Sequence, residues 1–260
     1  MSGQLITHPV DAQHVLRVEL SNPRKHNAIS VAMWRELRTL FEALQQQPRE
    51  PAPRVVLLTG AGGHFAAGGD IEEFPQFRFE PETLRHFHEE IVAPALQAMW
   101  RCEIPIVARI HGSCIGGGLE IAACCDLRIA DRSARFGAPI AKMGFPMAPG
   151  EVELLLKVVP AATLREILIE ARLLDAEAAL ARGLVHRVVD DAALADEAEA
   201  AAQRIAALSP LAARLNKRML RQYAEGGPTA AQRRDHFAYA ADPEHREGVT
   251  AFLDKRAPRF

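Results

Sequence analysis

The chain has 260 residues, 48% of them apolar and 25% charged, which suits one large globular domain or two small ones and excludes a disordered or fibrous polymer. Its 31 basic and 33 acidic residues leave a formal charge of -2, so there is no electrostatic ground for a nucleic-acid or anionic-membrane partner. His, Asp and Arg break every apolar run in the first twenty residues, and no later run is long and apolar enough to span a bilayer, which reads as a cytoplasmic protein.

In chain order, His14 to Leu20 alternates in the manner of a half-exposed strand. Arg54 to Gly60 and Ile104 to Gly112 are short, unalternating, β-branched runs ending in glycine, the pattern of strands buried on both faces of a parallel sheet. Between them, Leu84, Phe87, Ile91, Leu96 and Met99 recur at helical spacing, predicting a crossover helix. Asp126 to Asp131 and Gly183 to Val189 read as further strands. Beyond residue 190 the chain is rich in Ala, Leu, Arg and Glu with no strand signal, so an α/β core over 1–190 is expected to precede a helical region over 191–260. Cys102, Cys114, Cys124 and Cys125 lack metal-ligand spacing and read as buried thiols, with no metal site.

Two glycine-rich loops, Gly60 to Asp70 and His111 to Gly118, leave the carboxyl ends of buried strands, where free backbone N–H groups face a ligand. Neither is a phosphate loop: Phe65 stands where a dinucleotide fingerprint needs its third glycine, and Asp70 where a P-loop needs lysine. The remaining chemistry is an oxyanion hole, in which N–H groups from both loops converge on an oxygen that becomes negative. Gly117, opening a predicted helix, adds part of the helix dipole. Glu120, three residues further on, is left to handle protons. Asp70 either caps the helix beginning at Ile71 or touches ligand. His64 and His111 lack a nucleophile at a recognisable elbow and read as loop histidines.

The ordered motifs HFAAGGDI, HGSCIGGGLEIAACCDLRIA, FGAPIAKMGF, EARLLDAEAALARGLVHRVV and REGVTAFLDKR, with NPRKHNAIS near the start, resemble the crotonase superfamily over nearly the whole chain. The resemblance implies a ββα spiral core with a helical C-terminal trimerisation region, assembled as a homotrimer or a dimer of trimers. It implies a coenzyme A thioester as substrate and no separate cofactor. Carried onto this chain, it implies oxyanion-hole N–H groups at Ala67 and Gly117, with Gly68, Gly69 and Asp70 lining the same loop. Glu120 matches the first of the two glutamates of the hydratases. Arg24, Phe252 and Lys255 match positions that touch the coenzyme A portion.

One departure bears on the reaction: where hydratases carry their second glutamate, FGAPI places Ile140, which moves no proton. An oxyanion hole with one carboxylate supports double-bond migration or decarboxylation, and hydration only with an acid from elsewhere. Glu151 is the residue to test for that acid, against the alternative that it merely favours a helix start. A non-catalytic relative that binds coenzyme A esters is the reading from a different class. The acyl group would be selected by residues such as Phe74, Phe77, Phe79 and Met143.

Overall fold

The computed structural model describes residues 3–49 and 52–260. Its main sheet is built from β1 (Gln4–Thr7), β2 (Val15–Ser21), β3 (Val55–Gly60), β4 (Ile106–Ile110), β6 (Leu127–Asp131) and β9 (Arg187–Val189), in the order β1-β2-β3-β4-β6-β9. The β1–β2 pair is antiparallel and the rest are parallel, with Val18 beside Leu58 and Leu58 beside Ala108. A smaller sheet holds β5 (Ser113–Ile115), β7 (Arg135–Gly137) and β8 (Leu174–Asp175).

Strand alternation divides the core. Val15, Val55, Leu57, Val107 and Ile129 pack under α8 (Leu194–Ala206) through Leu194, Ala198, Ala201 and Ala202. The opposite parity, including Val18, Leu20, Val56, Leu58, Ile106 and Ala108, joins the larger cluster with α1 (Val31–Gln46) and α3 (Ala93–Arg101). Both faces of the sheet are therefore covered, which is why β3 and β4 lack alternation. Helix α8 follows residue 190 yet completes this layer, so the division expected there passes through packed structure.

Helix α1 starts at Ser30, whose side chain accepts from Met33 N, and buries Met33, Trp34, Leu37, Phe41 and Leu44 along one stripe. The expected crossover helix is interrupted. It runs as α2 (Pro81–His86), a π-helical turn at Phe87–Val92, then α3. The wider turn carries His88, and π-bulges concentrate at functional sites. The segment after Asp70 is a 3-10 helix, Ile71–Gln76. The strand expected over 183–189 is shorter: Gly183, at φ 71, ends α7 (Ala176–Ala181) before β9 begins. Helix α4 (Gly117–Ala123) is wholly buried. Helices α5 (Pro149–Leu156) and α6 (Ala161–Ile169) follow it in the core half of the chain. After α8 come α9 (Pro210–Ala224), α10 (Ala230–His236) and α11 (Pro243–Leu253). All four cysteines are buried and free. Among the described residues, no helix is long and apolar enough to cross a membrane.

Candidate active site

The two glycine loops are zipped together. Phe65 N donates to His111 O at 2.8 Å, Ala66 N to Ser113 O at 2.8 Å and Ile115 N to Ala66 O at 2.9 Å. On the other side of the first loop, Ile29 N donates to Gly68 O at 2.7 Å and Asp70 N to Ile29 O at 2.9 Å. Ile29 thus pairs with Gly69 in a parallel bridge, which turns the Gly69 N–H away from Ile29.

These bonds correct one sequence expectation. The Ala67 N–H donates to His26 O at 3.0 Å, so it is not free to serve a substrate oxygen. The Gly69 and Gly117 N–H groups have no acceptor among the described residues, and both glycines line one cavity of about 200 Å³. At Gly117 the free amide is a consequence of position, since the first N–H groups of any helix lack an intrahelical partner. The three consecutive glycines answer separate demands. Gly116 sits at φ 51, ψ -117; a Cβ on Gly117 would stand 2.9 Å from Trp34 Cζ2, and one on Gly118 would stand 2.5 Å from Ala66 O.

Glu120 lies one turn into α4, is 6% exposed and lines the same cavity. Burial first, and the charge of Glu151 second, push its carboxyl well above the usual carboxylate range, with Arg78 opposing. Glu151, 4% exposed in the first turn of α5, lines the cavity as well. Its Oε1 lies 2.6 Å from His88 Nδ1 and its Oε2 accepts from Ala148 N at 3.2 Å. Glu151 thus sits at a helix start and is also a second buried carboxylate lining the pocket. Ile140 lines the cavity too.

Other expected residues divide clearly. Gly68, Phe74 and Met143 line the cavity. Phe77 stacks on Phe87 with ring centroids 4.0 Å apart, while Phe79 is 78% exposed. Asp70 does not line the cavity: Oδ1 caps Glu72 N and both oxygens accept from Lys25 Nζ. His64 Nδ1 accepts from Ser113 N, and His111 Nε2 contacts Gly62 O, so both are loop histidines. Arg24 is exposed on the turn at Pro23–Lys25, and Phe252 and Lys255 are exposed at the end of α11; within one chain none of the three lines the cavity. The sequence reading missed His88 and Arg78, both in the cavity wall, because neither belongs to a motif.

The family model for enoyl-CoA hydratase/isomerase matches residues 11–260. The chain belongs to that family. It is similar to the (E)-benzylidenesuccinyl-CoA hydratase of Thauera aromatica, with 32% identity over 255 residues and 96% of each chain covered. It is also similar to the mitochondrial Delta(3,5)-Delta(2,4)-dienoyl-CoA isomerase of Homo sapiens, at 32% identity over 79% of this chain and 65% of that protein. Among solved structures it superposes on an enoyl-CoA hydratase/carnithine racemase from Magnetospirillum magneticum with a TM-score of 0.91, at 37% identity, covering 99% of this chain and 94% of that one. The family's crotonase fold is thus the fold of this chain, and its members' names describe both lyases and isomerases.

Proposed function

We propose that this family member hydrates the double bond of a 2-enoyl-CoA thioester, with Glu120 and Glu151 as its carboxylate pair. The observation that carries the reading is the burial of both glutamates in the cavity that the Gly69 and Gly117 amides also line. Ile140 removes a glutamate from the position the hydratases use, and α5 returns one from another direction.

The proposed step follows from the groups present. The thioester oxygen sits between the Gly69 and Gly117 N–H groups, where developing negative charge is worth most in a site closed to water. Glu120 carries the proton of the pair, since its burial and the charge of Glu151 disfavour its ionised form. A water held by the pair gives its oxygen to Cβ while the C=C electrons move onto the thioester oxygen. The pair delivers its proton to Cα of that enolate and regains one from the water. His88 and Ala148 N hold Glu151 in place for this exchange. Coenzyme A is part of the substrate, and no other cofactor enters the step.

Arg24, on the turn beside the Lys25–Asp70 pair, is positioned in this account for the coenzyme A phosphates. Phe252 and Lys255 would contribute from a second copy in a homotrimer or dimer of trimers. Leu220, Tyr223, Phe237, Phe252 and Leu253, each more than half exposed, supply apolar surface for that self-association.

The test is turnover of a 2-enoyl-CoA in water labelled with oxygen-18. Label at Cβ of a 3-hydroxyacyl product supports hydration. Migration of the double bond without label supports the isomerase reading, which needs only one proton shuttle. Binding of the ester with neither reaction would leave the non-catalytic alternative.

A further inference from the structure

Among the titratable residues described in the cavity lining, Arg78 is the one that neither the oxyanion hole nor the carboxylate pair uses. Its guanidinium centre lies 4.1 Å from the Phe74 ring centroid and 3.9 Å from that of Phe145. Those rings stand 6.1 Å apart at 76°, so the cation is wedged into the corner between them and held there by ring faces. Its Nε is buried without a hydrogen-bond partner, and among the described residues no carboxylate or carbonyl pairs with the rest of the guanidinium. An arginine fixed in this way, half-buried and without an acceptor, is costly unless something else supplies one.

Its location says what that acceptor is attached to. Glu120 is the glutamate one turn from Gly117, and it lines only the cavity that holds the oxyanion hole, whereas Glu151 and Arg78 also line a neighbouring cavity that Gly69, Gly117 and Glu120 do not reach. Arg78 and Glu151 therefore lie on the side of the site away from the oxyanion hole. This second cavity continues beyond them, sharing Arg78, His88, Phe145 and Glu151 with the first. A thioester held at Gly69 and Gly117 would point its acyl tail toward Arg78.

We propose that Arg78 is the specificity residue for a second, distal carboxylate on the acyl group, so that the substrate class is a dicarboxylic acyl-CoA. The inference rests on the proposed reading for the position of the thioester. The planar guanidinium fork matches a carboxylate, and a distal acid on the acyl chain would meet it where the two cavities join. Phe74 and Phe145 flank the chain and exclude water from that contact.

The test uses calorimetric binding of two saturated esters of equal chain length, glutaryl-CoA and valeryl-CoA, which cannot be hydrated. The wild type is expected to bind glutaryl-CoA at least tenfold more tightly. Arg78→Met should abolish that preference while binding valeryl-CoA within threefold of wild type, which also reports a folded site. Arg78→Lys, keeping charge without the fork, should retain part of the preference and covers the case of a Met variant that fails to fold. Equal affinity of wild type for the two esters, or a preference that survives in both variants, would overturn the proposal. Failure of the wild type to bind either ester would overturn the acyl-CoA reading beneath it, which is a distinguishable result.

Discussion

Gly118→Ala tests how the two oxyanion loops are spaced. An ideal Cβ at this position would stand 2.5 Å from Ala66 O and 2.9 Å from Ala66 Cβ, so α4 must move by about 0.9 Å to restore an ordinary contact of 3.4 Å. Ala66 cannot retreat, because its N–H is bonded to Ser113 O and its carbonyl to Ile115 N. The helix therefore lifts and carries Gly117 with it, away from Gly69. A misplacement of about 1 Å at a reacting centre costs on the order of 100-fold in rate, close to the 2.7–4 kcal/mol or so lost with one oxyanion donor. Overpacking adds about 1–3 kcal/mol of destabilisation. Steady-state kinetics on a 2-enoyl-CoA should show kcat down about 100-fold with KM little changed, and thermal unfolding should show a folded protein of lower Tm. Turnover within threefold of wild type would refute the claim that loop spacing sets the oxyanion hole.

Gly150→Ala supplies the contrasting case. Its Cβ would meet Ala93 Cβ at an ordinary 3.7 Å in the first turn of α5, so differential scanning calorimetry should register a gain of about 0.4–1 kcal/mol. The Glu120 carboxyl, raised above 4.5 by burial, is favoured protonated on folding. Its contribution to stability is full below 4.5 and is lost as pH rises through its folded value. Glu120→Gln should therefore gain stability relative to wild type as pH rises from 4.5 to 8, read as a growing Tm difference; a difference independent of pH would count against a protonated Glu120. Ile140→Glu adds a third carboxylate to a cavity that already holds two. It should lower both Tm and turnover, by about 1–3 kcal/mol in stability for an unpaired buried polar group. Enhanced hydration in this variant would show that Glu151 does not fill the role assigned to it.

Much of this architecture is visible in the residues themselves. Strands β3, β4 and β6 show because a sheet covered on both faces needs continuous apolar runs. Helix α1 carried usable signals, Ser30 as cap and the stripe from Met33 to Leu44, that the strand and loop motifs overshadowed. Strands β5, β7 and β8, two or three residues each, are too short to show any period, and their pairing depends on contacts distant in the chain. At the site, Glu120 was legible from its distance to Gly117. Ala67 was misassigned because sequence spacing alone does not reveal which amide of a loop is already bonded; the pairing with His26 and Ile29 decides it. Glu151 looked like a helix-start residue because it is one, and only the packing of α5 beside the π-turn with His88 puts it in the cavity. Arg78 had no sequence signal, since its neighbours Phe74 and Phe145 come together only in the fold.

The central claim is that hydration runs on Glu120 and Glu151 acting as one unit. The most direct measurement is 2-enoyl-CoA hydration by Glu120→Gln, Glu151→Gln and the double variant. Each single change should lower kcat by about 100-fold or more, the range for loss of a general acid or base, and the double variant should be little worse than either alone. Wild-type turnover in Glu151→Gln would contradict the account and leave Glu120 as the sole proton carrier of the site.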